Sequence, residues 1–283
     1  MKILVTGAAG MLGRDLTPCL AERHETIGVD LADFDLTDQT AVCAALDRLG
    51  PAWVVNCAAY TAVDRAESEP EKAAAINETA ARVLAAACAA RQIRLLHLST
   101  DYVFDGRNPA PYPPDAPANP LSVYGRTKRG GETAVLAAMP QATILRTAWL
   151  YGPHGPNFVA AILRQLDAGQ PLRVVADQVG SPTYTVHLAA AIRAVVEHDA
   201  TGIHHATNAG FCSWREFARA IAEETGRPDT PIEPLTTAQL NRPAPRPANS
   251  RLDTSSLTRA TGYSFPDWRA GLREYLRRVG RLA

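Results

Sequence analysis

The chain has 283 residues, 46% of them hydrophobic and 20% charged, enough for an ample core in one domain with a smaller lobe. Its 29 basic residues balance 29 acidic ones, so the formal net charge is zero and no basic field exists to hold nucleic acid or an anionic membrane. No apolar run approaches the roughly 18 residues of a membrane span. The five cysteines, Cys19, Cys43, Cys57, Cys88 and Cys212, form no Cys-x-x-Cys or Cys/His cluster, which argues against a disulfide scaffold or a zinc site and for a reducing cytoplasm.

The first predicted element is a strand, Met1-Lys-Ile-Leu-Val-Thr6, with no basic leader and cleavage site before it. It breaks into Gly7-Ala-Ala-Gly10-Met11-Leu12-Gly13, and Arg14-Asp-Leu-Thr-Pro-Cys-Leu20 then carries helical periodicity. Glycines between a strand and a helix let the backbone approach a pyrophosphate, which rests on the positive end of the helix. The next strand, Glu25-Thr-Ile-Gly-Val29, ends in Asp30, 20 residues after Gly10. An acid there suits ribose hydroxyls and repels a 2′-phosphate. Arg14 argues the other way, since it is placed to face that phosphate, so the sequence leaves NADH and NADPH both open. Asp35 and Leu36 are candidate adenine contacts.

An amphipathic helix near 37–48 leads to the buried strand Ala52-Trp-Val-Val-Asn-Cys57. An Ala-rich helix at about 71–91, a strand at Arg94-Leu-Leu-His-Leu98, a helix holding Tyr124, and a strand at Ala142-Thr-Ile-Leu-Arg-Thr147 follow. Such strand–helix repeats predict an α/β fold: a Rossmann-type, doubly wound parallel sheet covered on both faces. Past residue 150 the spacing predicts helices near 157–168 and 185–197 and a strand within Gly202–Gly210. Residues 211–283 hold two or three helices around the Pro-rich loop Arg242-Pro-Ala-Pro-Arg-Pro247. Residues 1–150 thus form the dinucleotide-binding domain, with 185–210 returning to it, and 151–283 mainly a smaller substrate-binding lobe.

Tyr124 and Lys128 carry the chemistry. Four residues apart on a helix, they share one face, and an ammonium beside a phenol lowers the phenol's pKa. A phenol so tuned passes a proton to or from an alcohol oxygen near neutral pH. With three lysines in the chain, Lys2, Lys72 and Lys128, a chance pairing with tyrosine is uncommon. Other residues have plainer readings. Thr100 can cap the turn after its strand, Trp149 can be core, and Asp64 and Glu67 suit a helix N-terminus. His204 and His205, adjacent on a strand, point to opposite faces and do not share a metal. Asp177 and Gln178 organise a loop rather than react.

Four runs resemble the dTDP-4-dehydrorhamnose reductase family, within the extended short-chain dehydrogenases/reductases that act on nucleotide sugars. They are Asn56-Cys-Ala-Ala-Tyr-Thr-Ala-Val-Asp64-Arg-Ala-Glu67, Ser99-Thr-Asp-Tyr-Val-Phe-Asp-Gly106, Pro120-Leu-Ser-Val-Tyr-Gly-Arg-Thr-Lys128 and Asp177-Gln-Val-Gly-Ser-Pro-Thr183. The resemblance implies reduction by NADPH or NADH of the C4 ketone of dTDP-4-dehydro-L-rhamnose, the last step of dTDP-L-rhamnose synthesis. Tyr124 would donate the proton, Lys128 would hold the cofactor ribose, and Thr100 would hydrogen-bond the ketone oxygen. Asp101 and Tyr102 would touch the sugar at the lip, and Trp149 would stack on it. The cofactor would lie along Gly7, Gly10, Met11, Leu12 and Gly13, with Asp30, Asp35, Leu36, Ala58, Ala59, Tyr60, Tyr124 and Lys128. No metal is required. Some members are magnesium-bridged dimers. Asp15 matches one such ligand, but His187 stands where another would be, so a monomer or weak homodimer is expected. Another nucleotide-sugar reductase, an epimerase, or a non-catalytic regulatory subunit of the methionine adenosyltransferase type are the alternatives.

Overall fold

The structure, a computed structural model, describes residues 1–282. Six parallel strands run side by side in the order Gly202–His205, Thr143–Thr147, Arg94–Thr100, Trp53–Asn56, Lys2–Thr6, Glu25–Val29. Successive side chains leave opposite faces of a strand. Ile3, Val5, Val55, Leu96, Leu98 and Leu145 therefore enter one core, and Leu4, Val54, Leu95 and Ile144 another. The Met11–Ala21 and Thr185–Glu197 helices close the first with Leu12, Leu16, Leu20, Leu188, Ile192 and Val195. The Gln39–Leu49, Ala80–Ala89 and Val123–Ala138 helices close the second with Val42, Leu46, Leu84 and Val135. This is the doubly wound α/β arrangement expected from the sequence. Strands covered on both faces must be apolar throughout, which is why they read as unbroken runs.

The chain after residue 150 divides. The Thr185–Glu197 helix and Gly202–His205 strand return to the main sheet as expected, and Leu257, on the Ser255–Thr261 helix, joins the same core. The remainder builds its own core from Val159, Ile162, Leu163, Phe217, Ile221, Leu272 and Leu276 around Tyr151 and Tyr184. Three small sheets there are not foreseen: Leu150–Tyr151 with Thr183–Tyr184, Leu172–Val175 with Ile232–Leu235, and Val179–Gly180 between Cys212–Ser213 and Asn249–Ser250. Segments of two to four residues carry no readable period. Helices after residue 210 number four among the described residues, two of them short: Trp214–Glu224, Thr237–Leu240, Ser255–Thr261 and Trp268–Arg278. The expected helix at 71–91 is Pro70–Ala74 and Ala80–Ala89 joined by a π-turn at Ala75–Thr79. No helix among the described residues is long and apolar enough to cross a membrane.

A buried ion pair ties the Val123–Ala138 helix to the sheet. Glu132 is wholly buried, and Arg146, on the neighbouring strand, grips it with two bonds of 2.7 and 2.8 Å. Ser99 donates to the same carboxylate at 2.6 Å and Arg129 at 2.8 Å. Burial alone would raise the Glu132 pKa, but the Arg146 bonds and charge outweigh it and hold the carboxyl below its usual range. Removing one member of a buried pair strands the other charge. Arg146→Ala should therefore destabilise the protein by about 3–5 kcal/mol, read as a lowered denaturation midpoint. A loss below about 0.5 kcal/mol, the scale of ordinary surface changes, would refute this role.

Candidate active site

A cleft of about 850 Å³ opens at the carboxyl ends of the strands, where the chain leaves Lys2–Thr6 between its two neighbours. Gly7 turns there with φ of 68°, and a Cβ on it would lie 2.7 Å from the Ala58 nitrogen. A Cβ on Gly13 would meet the Gly7 carbonyl at 2.4 Å. Both positions exclude side chains. Gly10 caps the Met11–Ala21 helix without any side-chain bond, so the first helical N–H groups remain available to an anion in the cleft. Asp30 braces this turn, accepting from Ala9 N and Leu31 N, both at 2.9 Å. Arg14 donates from Nε to the Ala9 carbonyl at 3.0 Å and does not line the cleft.

Every cofactor and substrate candidate named from the sequence lines this cleft except Tyr60. Tyr60 is turned away: its hydroxyl donates to Glu69 at 2.7 Å, its ring packs with Ala66 and Ala73, and its backbone N donates to the Asn77 side chain at 2.9 Å. Its neighbours Ala59 and Thr61 line the cleft from the irregular segment that follows the Trp53–Asn56 strand, while its own ring packs away from it. Asp35 remains exposed, its carboxyl held below the usual range by the backbone and hydroxyl of Thr37.

Thr100, Tyr124 and Lys128 meet on the cleft floor. Of the roles weighed for Thr100, the cap is present: its hydroxyl accepts from Tyr102 N at 3.2 Å ahead of the short helix Asp101–Val103 and donates to Asp101 at 2.9 Å, with the Tyr124 phenol near enough for Thr100 to act on its proton affinity. Burial pushes the Tyr124 phenol up to about 12, with Thr100 acting against that shift. Lys128 does not tune Tyr124 in the expected way. It is 2% exposed, and its ammonium donates to the Leu98 carbonyl at 2.6 Å. Burial brings its own pKa down to about 8. A phenol with so high a pKa stays protonated through the working range, which suits a proton donor better than a base. Asp101 is buried rather than at the lip, and its pKa rises to about 6 because burial outweighs hydrogen bonds from Ser250 and Thr100. Tyr102 crosses the Tyr124 ring edge-on at 5.3 Å.

The supporting residues are mostly invisible to sequence patterns. Glu67 accepts from Val123 N at 2.8 Å and so fixes the start of the Tyr124 helix, whereas Asp64 is gripped by Arg246 at 2.9 and 3.0 Å. Asn77, in the π-turn, donates to Thr127 at 3.1 Å and to the Tyr60 carbonyl. Gly125 lets the helix touch the backbone: a Cβ there would lie 2.2 Å from the Tyr102 carbonyl oxygen. Trp149 lines the cleft while its ring stacks on Trp214 at 3.6 Å. Gln178 accepts from Trp214 Nε1 at 3.1 Å and Asp177 accepts from Thr237, the loop-organising parts expected.

His204 bonds Ser256 and Thr201, whereas His205 is buried against Phe104, neutral because burial lowers its pKa to about 3. Among the described residues no cluster of acidic, histidine or cysteine side chains suits a metal. Asp15 is buried and bonded to Thr185 and Arg278, and His187 lies between Asn208 and Glu274.

Comparison with known proteins agrees with this geometry. The RmlD substrate binding domain family matches residues 1–281. The chain belongs to that family. A probable dTDP-4,6-dihydroxy-2-methyloxan-3-one 4-ketoreductase of Streptomyces antibioticus is 49% identical, over 97% of this chain and 94% of the relative. A dTDP-4-dehydrorhamnose reductase of Streptomyces griseus is 46% identical, over 96% and 91%. The crystal structure of dTDP-4-dehydrorhamnose reductase from Bacillus anthracis in complex with NADP is 34% identical, superposes with a TM-score of 0.94, and is covered to 99% by 98% of this chain.

The contact at Gly125 has a direct consequence. Gly125→Ala should push the helix from the Tyr102 carbonyl and displace Tyr124 from Thr100, costing about 1–3 kcal/mol of stability. A variant with an unchanged melting temperature would show that the contact does not set the helix position.

Proposed function

We propose that this protein reduces the C4 ketone of dTDP-4-dehydro-L-rhamnose to dTDP-L-rhamnose with NADPH or NADH, completing dTDP-rhamnose synthesis in a reducing cytoplasm. The observation that carries the reading is the placement of Thr100, Tyr124 and Lys128 on the floor of the glycine-turn cleft. The residues fit a dinucleotide. Gly7 and Gly13 leave room for a pyrophosphate at the open helix end, Asp30 stands where an adenosine ribose would lie, and Lys128 is deep enough to reach the second ribose. Bound there, the nicotinamide supplies a hydride to C4.

The chain's own residues do the rest. Thr100 hydrogen-bonds the ketone oxygen and concentrates its developing charge. Tyr124, protonated through the working range, gives its proton to that oxygen as the alkoxide forms. Trp149, held flat by Trp214, walls the sugar from solvent, with Tyr102 set edge-on against Tyr124. Residues 151–283, apart from those returning to the main sheet, form the lobe that carries the substrate. Because Asp15 is taken up by Thr185 and Arg278 within the chain, a monomer or weak homodimer fits better than a metal-bridged pair.

A second reading has one observation in its favour. The 49% identity to a ketoreductase of another dTDP-sugar points to the 4-ketone of a different dTDP-sugar at the same site. A regulatory binding protein is disfavoured by the intact catalytic trio. Oxidation of NADPH or NADH followed at 340 nm, with dTDP-4-dehydro-L-rhamnose and then with other dTDP-4-keto-6-deoxy sugars, separates these readings: the reductase turns over the first fastest. Tyr124→Phe should lower kcat by about 10²–10⁴-fold while sparing cofactor binding. An unchanged kcat with chemistry rate-limiting would remove Tyr124 as the donor. Asp30→Ala should raise NADPH use relative to NADH, and an unchanged ratio would take Asp30 out of the ribose site.

A further inference from the structure

Asp101 is a buried acid that the reduction as written leaves without a task. It is 3% exposed, and its Oδ1 lies 2.9 Å from the Thr100 hydroxyl. Its Oδ2 is buried without a well-formed hydrogen bond, although the Ser250 hydroxyl is near enough to lower the carboxyl's proton affinity. An ionised carboxylate with one oxygen left dry is costly, whereas the neutral acid leaves less charge unsolvated. The charged or titratable groups around it are few. They are Tyr124 on the Val123–Ala138 helix, Tyr102 beside it, and, beyond Tyr102, the Arg246–Asp64 pair. Lys128 is turned to the Leu98 carbonyl.

The Thr100 hydroxyl has one proton and two lone pairs to share among three neighbours. One lone pair is taken by Tyr102 N–H. If Asp101 is ionised, the single Thr100 proton must go to it, and the remaining lone pair attracts the Tyr124 phenolic proton away from the cleft. If Asp101 is protonated, it donates to that second lone pair instead. The Thr100 proton is then free of Asp101 and lies between the Tyr124 and ketone oxygens, and the Tyr124 proton faces the ketone.

We propose that Asp101, in its protonated form, is the positioning residue that sets the direction of the Tyr124–Thr100–Asp101 hydrogen-bond chain and refills Tyr124 after each reduction. This rests on the reductase reading above. Once Tyr124 has protonated the C4 alkoxide, its phenolate takes the Thr100 proton, Thr100 takes the Asp101 proton, and Asp101 is left as a carboxylate. Solvent water reaching the cleft after product release returns one proton to Asp101, so one proton is consumed per ketone reduced. A drier, substrate-filled cleft raises a carboxyl pKa further, so the step operates above the empty site's value of about 6.

The test is the pH profile of kcat between pH 5 and 9 for the wild type and Asp101→Asn, since kcat reports ionisations in the substrate complex. Protonated Asp101 is the active form, so wild-type kcat should fall as pH rises, approaching tenfold per pH unit beyond the pKa. In Asp101→Asn the amide donates to Thr100 at every pH, so kcat should be lowered but flat across that limb. The same limb in both enzymes, or no limb in the wild type with chemistry rate-limiting, overturns the proposal. If Asp101→Asn does not fold, Thr100→Val serves instead: a vanished limb supports the chain, and a retained one refutes it. If no keto sugar is turned over, the reductase reading fails, and carboxyl ¹³C NMR of the resting protein decides the remaining claim. An aspartate resonance titrating above the usual carboxylate range and moved by Thr100→Val supports the coupling. Its absence, or indifference to Thr100→Val, ends it.

Discussion

The buried contact of Glu132 with Arg146 is the constraint on which the site depends. Two charges are taken out of water, and this is tolerable because Arg146 presents a bidentate fork while Ser99 and Arg129 occupy the remaining acceptor positions. The pair joins the Val123–Ala138 helix to two adjacent strands, Arg94–Thr100 and Thr143–Thr147. Ser99 precedes Thr100, so one carboxylate registers both the helix that carries Tyr124 and Lys128 and the strand end that carries Thr100. The proposed catalytic groups come from different elements, and this ion pair ties those elements together.

Absent side chains act with it. Gly125 brings the helix against the Tyr102 carbonyl, and Gly131 brings it against that of Asn77, where a Cβ would stand 2.1 Å away. The π-turn at Ala75–Thr79 widens the neighbouring helix by one residue and aims Asn77 at Thr127 and at the loop holding Tyr60. Close backbone approach and a polar clamp together hold the reactive helix more rigidly than apolar packing alone would, because hydrogen bonds and excluded volume both penalise a shift of even an ångström.

Parts of the chain far apart in sequence are linked by a small number of polar contacts. Arg246 grips Asp64, and Asp15 bonds Thr185 and Arg278 from the helix that follows the glycine turn. These contacts convert acids that the sequence offers as solvated or metal-binding groups into internal ties. They also bring the far end of the chain against its beginning, so that residues 170 or more positions apart are bonded directly.

The sequence alone determined the fold class and the outline of the site, because those features are written in local periodicity. Apolar runs alternating with helical stretches specify a parallel sheet, and strand-ending glycines followed by a helix specify an anion-holding turn. The spacing of Tyr124 and Lys128 placed both on one helical face. Tertiary structure decided what those groups do to one another. It sent Lys128 to the Leu98 carbonyl instead of to the phenol, raised Tyr124 by burial, turned Tyr60 out of the cleft and buried Asp101 against Thr100. Period and spacing report which face a residue occupies, but proton affinity depends on how much water and which charges remain around it after packing, and only the assembled chain sets that.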